Sequence, residues 1–145
     1  MSHDEKNENQ ITKETARELA KEKNLVLIGT GGQMMYGIKK LTMSFQYYQS
    51  VNIETARQLL VDSVEKYLAN INSNEDIRAS LYEYPFTPKG IEIVIFFLNP
   101  NGSKVDPKKI WIAASNQGRV TYYTRSSRDA KLEALYTETY DKVKN

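Results

Sequence analysis

The chain contains no cysteine, which excludes disulfides, thiolate nucleophiles and cysteine-held metals. Its single histidine, His3, stands in a polar N-terminal stretch, so acid–base chemistry and metal ligation both lose their commonest residue. No cofactor and no metal site is expected. Charge of one sign is also missing: 20 basic residues are interspersed with 18 acidic ones along 145 residues, a balance that argues against a dedicated nucleic-acid binder. No apolar run reaches the ~20 residues of a membrane helix, and the opening residues are too polar for a secretory signal. Cytoplasmic and exported placements both stay open, because a signal removed upstream leaves no trace.

What is present is enough for a core. With 40% hydrophobic and 26% charged residues, the length suits one globular unit. The expected organisation is a disordered or tag-like lead-in over residues 1–10 and a single α+β domain over 11–145.

The longest apolar run, Ile91 to Leu98, is β-branched and aromatic and has turn signals at both ends, Thr87-Pro88-Lys89-Gly90 and Asn99-Pro100-Asn101-Gly102. It reads as the central strand. Ile91, Ile93, Ile95 and Phe97 share one face, and Glu92, Val94, Phe96 and Leu98 the other. Both faces are mostly apolar, so each calls for a cover.

In chain order, Ile11 to Lys23 has a helical pattern, Leu25 to Ile28 reads as a short strand or helix end, and Gly29-Thr30-Gly31-Gly32 reads as a linker. A phosphate-loop reading of those glycines lacks the lysine–serine or lysine–threonine ending. Leu41, Met43, Phe45 and Tyr47 alternate with polar residues and predict a half-buried strand. Asn52 is placed to cap a long helix whose stripe runs from Ile53 to Ile71. Ile77 to Tyr84 is expected to pair as a hairpin with the central strand, with Gly90 free to take a left-handed conformation in the turn. Lys109–Ala114 and Arg119–Thr124 follow as strands around a Ser115–Gly118 turn. Ser126 and Asp129 resemble a capping box for a closing helix carrying Leu132, Leu135, Tyr136, Tyr140 and Val143.

The predicted fold is therefore α+β, a mainly antiparallel five-stranded sheet with an N-terminal and a C-terminal helix. Its strand, long helix and four-strand meander resemble the cystatin layout in element order. The resemblance stops there. Thr87-Pro88-Lys89-Gly90 lacks the glutamine–valine–glycine pattern of the inhibitory loop, so no residue and no activity is carried over.

Three groups of residues carry candidate chemistry. The expected hairpin places Glu83 and Glu92 diagonally on one face, about 7–8 Å apart, where one carboxylate can raise the pKa of the other. They are the only catalytic candidates, and two solvated glutamates are the plainer reading. The tyrosines form the second group. Tyr82 and Tyr84 are expected in the core, whereas Tyr47 and Tyr48, like Tyr122 and Tyr123, must split between opposite faces. Third, Arg119, Arg125, Arg128 and Lys131 surround Tyr122 and Tyr123, which in isolation resembles a single-strand nucleic-acid surface, although Asp129 and Glu133 dilute it.

The surface expected to meet a ligand or partner thus comprises Tyr48, Trp111, Tyr123, Arg119 and Arg125. The expected function is a non-enzymatic domain that binds a protein partner, a second copy of itself or a small ligand. An enzyme relying on Glu83, Glu92 and tyrosines is the competing class.

Overall fold

The computed structural model describes residues 3–144, with side chains from Lys6 onward, so the side chain of His3 lies outside the described residues. The order is α1 (His3–Lys23), β1 (Val26–Met34), β2 (Ile38–Tyr47), α2 (Ile53–Asn72), α3 (Glu75–Arg78), a single 3₁₀ turn at Pro88–Gly90, β3 (Ile91–Phe97), β4 (Ile112–Asn116), β5 (Arg119–Thr124), β6 (Glu133–Thr139) and α4 (Tyr140–Lys144). The strands form one six-stranded sheet in sequence order. β2 and β3 run parallel and every other neighbouring pair is antiparallel. This is an α+β fold with a mixed sheet and a helix at each end.

Two strands more than expected lie at the edges, and one expected strand is absent. The glycine stretch read as a linker is β1, paired with β2 through Gly29, Gly31 and Gly32. Glycine weakens a strand, yet here side chains are unwelcome: a Cβ on Gly32 would lie 3.1 Å from the Lys40 carbonyl and 3.4 Å from Glu8 Oε1 of α1. The same approach explains why α1 starts at His3 and not at Ile11. Residues read as lead-in pack against the hairpin, with Asn7 buried.

The hairpin expected from Ile77 to Tyr84 does not form. Asn74 Oδ1 accepts from Ile77 N at 3.1 Å and caps the short α3, burying Ile77, so the apolar signal belongs to a helical turn. The following chain is irregular, held by backbone bonds between Ile38 and both Ser80 and Tyr82 and by Asn72, which clasps Phe86 N and O at 2.7 and 3.0 Å. Tyr82 and Tyr84, expected in the core, are therefore exposed, lying beneath Lys39 and Arg78. With that strand gone, the crossover through α2 brings β3 beside β2 in parallel. The cystatin likeness is only approximate for the same reason, since a hairpin precedes α2 and the strand after it pairs with the strand before it.

The closing helix is also corrected. Glu133–Thr139 is a strand on the free edge of β5, and only Tyr140–Lys144 is helical. Leu135 and Tyr136 fit a helical stripe, but β5 offers an unpaired ladder and a ring, Tyr122, for Tyr136 to stack on at 6.3 Å. Ser126 and Asp129 lie in turns and cap nothing.

α2 is the helix the sequence predicted. Asn52 Oδ1 accepts from Thr55 N at 2.8 Å, and Ala56, Leu60, Val64, Tyr67 and Ile71 are fully buried. It lies over the Ile91, Ile93, Ile95 and Phe97 side, together with Leu41, Met43 and Phe45 of β2 and Val120 and Tyr122 of β5. α1, α3 and α4 each pack against α2, so the helices stand on one side of the sheet. The opposite side has no helix over it among the described residues.

Candidate functional site: the uncovered sheet face

The strand register assembles the uncovered face in rows. Val26, Gln46, Phe96, Ile112, Tyr123 and Ala134 are successive cross-strand partners over all six strands. Beside them runs a row of small residues, Gly29, Ser44, Val94, Ala114, Thr121 and Thr137. Gly31, Thr42 and Glu92 continue it on one half of the sheet, and Asn116, Arg119 and Thr139 on the other. The face thus grades from a mostly apolar row, across a row of smaller side chains, to a polar and charged margin. At about 4.8 Å per strand the rows are roughly 24 Å long. Phe96, Ile112, Val94 and Tyr123 are half-buried by their neighbours alone.

Alternation along β5 puts Arg119, Tyr123 and the following Arg125 on this side. Arg125 lies over the Trp111 ring at 5.0 Å and donates to the Ala130 carbonyl, while Trp111 Nε1 donates to the Asp106 carbonyl at 3.2 Å. Trp111 and Val105 are buried, yet stand apart from the main core. Tyr48 is exposed and its hydroxyl donates to Gln46 Oε1 at 2.8 Å, which ties it to the apolar row. Tyr48, Tyr123, Arg119 and Arg125 are thereby brought to one side of the sheet, with Trp111 under the last of them. Both tyrosine pairs split as alternation requires: Tyr122 is buried on the helix side, and Tyr47 meets Phe97 edge-on at 6.0 Å.

Glu92 shares this face. Its Oε1 accepts from Thr42 Oγ1 at 3.2 Å and lies 4.0 Å from Lys40 Nζ. Glu83 does not join it. Without the hairpin, Glu83 sits in the exposed segment before Phe86, lining a cleft of about 530 Å³ with Lys39, Lys40, Tyr82, Lys89 and Gln117. An adjoining cleft places Glu83 with Arg119. The diagonal carboxylate pair is thus undone, because the register that created it required a strand at Ile77–Tyr84.

A charge cluster that sequence reasoning missed lies on the other side. Glu138 of β6 accepts two bonds from Arg57 of α2 and one from the Tyr122 hydroxyl at 2.6 Å. Burial alone would raise the Glu138 carboxyl, but the Arg57 and Tyr122 hydrogen bonds override it and hold it below the usual range. Burial pushes Tyr122 well above an ordinary tyrosine. Both Glu138 oxygens are taken up by Arg57 and Tyr122, which makes the trio a clamp between helix and sheet. No sequence signal joins residues so far apart; only the strand assignment of Glu133–Thr139 would have placed Glu138 inward.

Among the described residues, no group of three histidines or carboxylates gathers as a metal site, and no helix is long and apolar enough to cross a membrane. The chain matches no protein family, no curated protein and no solved structure.

Proposed function

We propose that the chain is a binding domain whose working surface is the uncovered sheet face and whose ligand is a protein. The observation that supports this most directly is the one-sided placement of the helices: Phe96, Ile112, Tyr123 and Val94 form a contiguous apolar strip with no helix laid over it among the described residues. Such strips on folded proteins mark interaction surfaces, and aromatic side chains with polar tips suit them because they bury rigid area while keeping a hydrogen-bonding end. The charged margin at Glu92 and Arg119 then orients the partner, since rim charges steer and align more than they add affinity. The Trp111–Arg125 stack is a preformed anchor at the apolar end.

The test is site-specific photocrosslinking in the native host. A photoreactive residue at Tyr123 should yield discrete protein adducts that the same residue at Lys13, on the outer side of α1, does not give. Loss of those adducts on changing Ile112→Ser, with unchanged circular dichroism, supports the reading. Identical adduct patterns at Tyr123 and Lys13, or none at Tyr123, would overturn it.

A further inference from the structure

We propose that β1 is a self-pairing edge, and that two copies of the chain join through it into one continuous sheet of twice the width. This goes beyond the partner-binding face, because it concerns the strand's rim and not its surface. β1 is the outermost strand and has a neighbour on one side only. It is nine residues long, Val-Leu-Ile-Gly-Thr-Gly-Gly-Gln-Met, with no charge and no proline. Edge strands of stable monomers are usually short, or guarded by lysine, proline or inward charges. The other edge, β6, does carry charge, at Glu133 and Glu138. Apolar exposure concentrates at β1 and its hairpin tip as well: Val26, Ile28, Met34, Met35 and Tyr36 are all exposed, Tyr36 at 93%.

Charge selects the occupant. A strand without charge can lie antiparallel against its own copy without setting like charges opposite each other. The register can be read from the irregularities. Pairing to β2 is interrupted between Leu27 and Gly29 and again between Gln33 and Met34, leaving Gly29–Gln33 as the regular run. A twofold axis through Gly31 pairs Gly29 with Gln33 and Thr30 with Gly32 of the other copy. Gly29, Gly31 and Gln33 all lie on the uncovered side, opposite Ser44, Thr42 and Lys40, so this register matches like faces and makes the two uncovered faces continuous.

Gly31 also provides the test. A Cβ there meets only Thr42 Cβ at 3.9 Å, ordinary contact, so the folded monomer accepts a side chain at this position. In the dimer, Gly31→Lys sets two ammonium groups together on the axis. Sedimentation equilibrium at high micromolar protein should show a dimer for the native chain and a dissociation constant raised about tenfold or more for Gly31→Lys, with partial recovery in high salt. Gly31→Cys gives a readout independent of that charge. Opposed Cα atoms of an antiparallel pair lie about 4.5–5.5 Å apart, within disulfide range, and the chain has no other cysteine. Mild oxidation should link Gly31→Cys into a covalent dimer and leave Lys13→Cys monomeric. A native chain that stays monomeric, one that grows beyond a dimer, or a Gly31→Cys chain that links no better than Lys13→Cys overturns the proposal.

Discussion

Arg57 and Glu138 meet in a two-pronged ion pair that ties the long helix to the last strand, Nε to Oε2 at 2.8 Å and Nη2 to Oε1 at 2.9 Å. Planar guanidinium and carboxylate match in this geometry, and the Tyr122 hydroxyl uses a further lone pair. Beyond its ladder with β5 and the Tyr136–Tyr122 stack, β6 buries little, since its residues are exposed except at Glu138. Replacing Glu138→Gln removes the charge and one prong, and is expected to cost about 1–3 kcal/mol at neutral pH, measured by urea unfolding. The pH dependence follows from the direction of the Glu138 shift. A carboxyl held below its ordinary value contributes stability that is complete above the unfolded-state pKa, about 4.3, and is lost as pH falls through the lower folded value. The native chain should therefore lose stability more steeply than Glu138→Gln below that pH. Parallel acid limbs would show that the pair carries no such linkage.

Only part of this clamp is legible in the sequence. The α2 stripe, its Asn52 cap, the alternation of β3 and the extent of β5 are all local patterns, and local patterns were legible. Glu138 was not, because Leu132, Leu135 and Tyr136 fit a helical period and break a strand's alternation, and only pairing to the free edge of β5 makes the segment a strand. Ile77 misled in the opposite sense, as its burial comes from one capped turn. Glu83 and Glu92 were joined by a register that depended on that turn being a strand. Tyr48 and Tyr123 needed only alternation to be set opposite Tyr47 and Tyr122.

The second prediction concerns alkaline pH. Burial raises Tyr67, Tyr122 and Tyr140 well above the ordinary tyrosine value, and the last two also donate to carboxylates, Glu138 and Glu65. A raised pKa means that the folded state prefers the neutral phenol, so this contribution is present below the unfolded-state value of about 10 and fades as pH climbs beyond it. Ultraviolet phenolate titration should show these three of the ten tyrosines ionising only as the chain unfolds. Free titration of all ten before any loss of circular dichroism would contradict the packing described.

Gly90 supplies the third. The turn was expected to need its left-handed freedom, but Gly90 is not among the residues with positive φ, and the reason for glycine is proximity. A Cβ there would lie 2.7 Å from two atoms of the Phe86 ring and 3.1 Å from the Lys39 carbonyl. Phe86 is buried and clasped by Asn72, so it has little room to yield. Gly90→Ala is expected to destabilise by about 1–3 kcal/mol through overpacking. Pairing it with Phe86→Leu should recover part of the loss, which a backbone-conformation effect would not allow.

Tyr122 and Tyr123 are adjacent and chemically identical, and the sheet turns them to opposite sides. Tyr122 is fully buried, stacked on Tyr136 and bonded to Glu138; Tyr123 is half-buried beside Ile112 on the uncovered face. Truncating Tyr122→Ala opens a cavity beneath α2 and strips Glu138 of a donor, at an expected cost of about 3–5 kcal/mol. Tyr123→Ala removes a cross-strand contact worth about 1 kcal/mol or less. Chemical denaturation of the two variants should therefore differ severalfold in lost stability, whereas crosslinking to a partner from a photoreactive residue at Thr121, on the same uncovered face, should survive Tyr122→Phe and weaken in Tyr123→Ala. Equal losses of stability would mean that the sheet does not present these neighbours to different surroundings. Equal crosslinking would separate Tyr123 from the binding surface while leaving the fold intact.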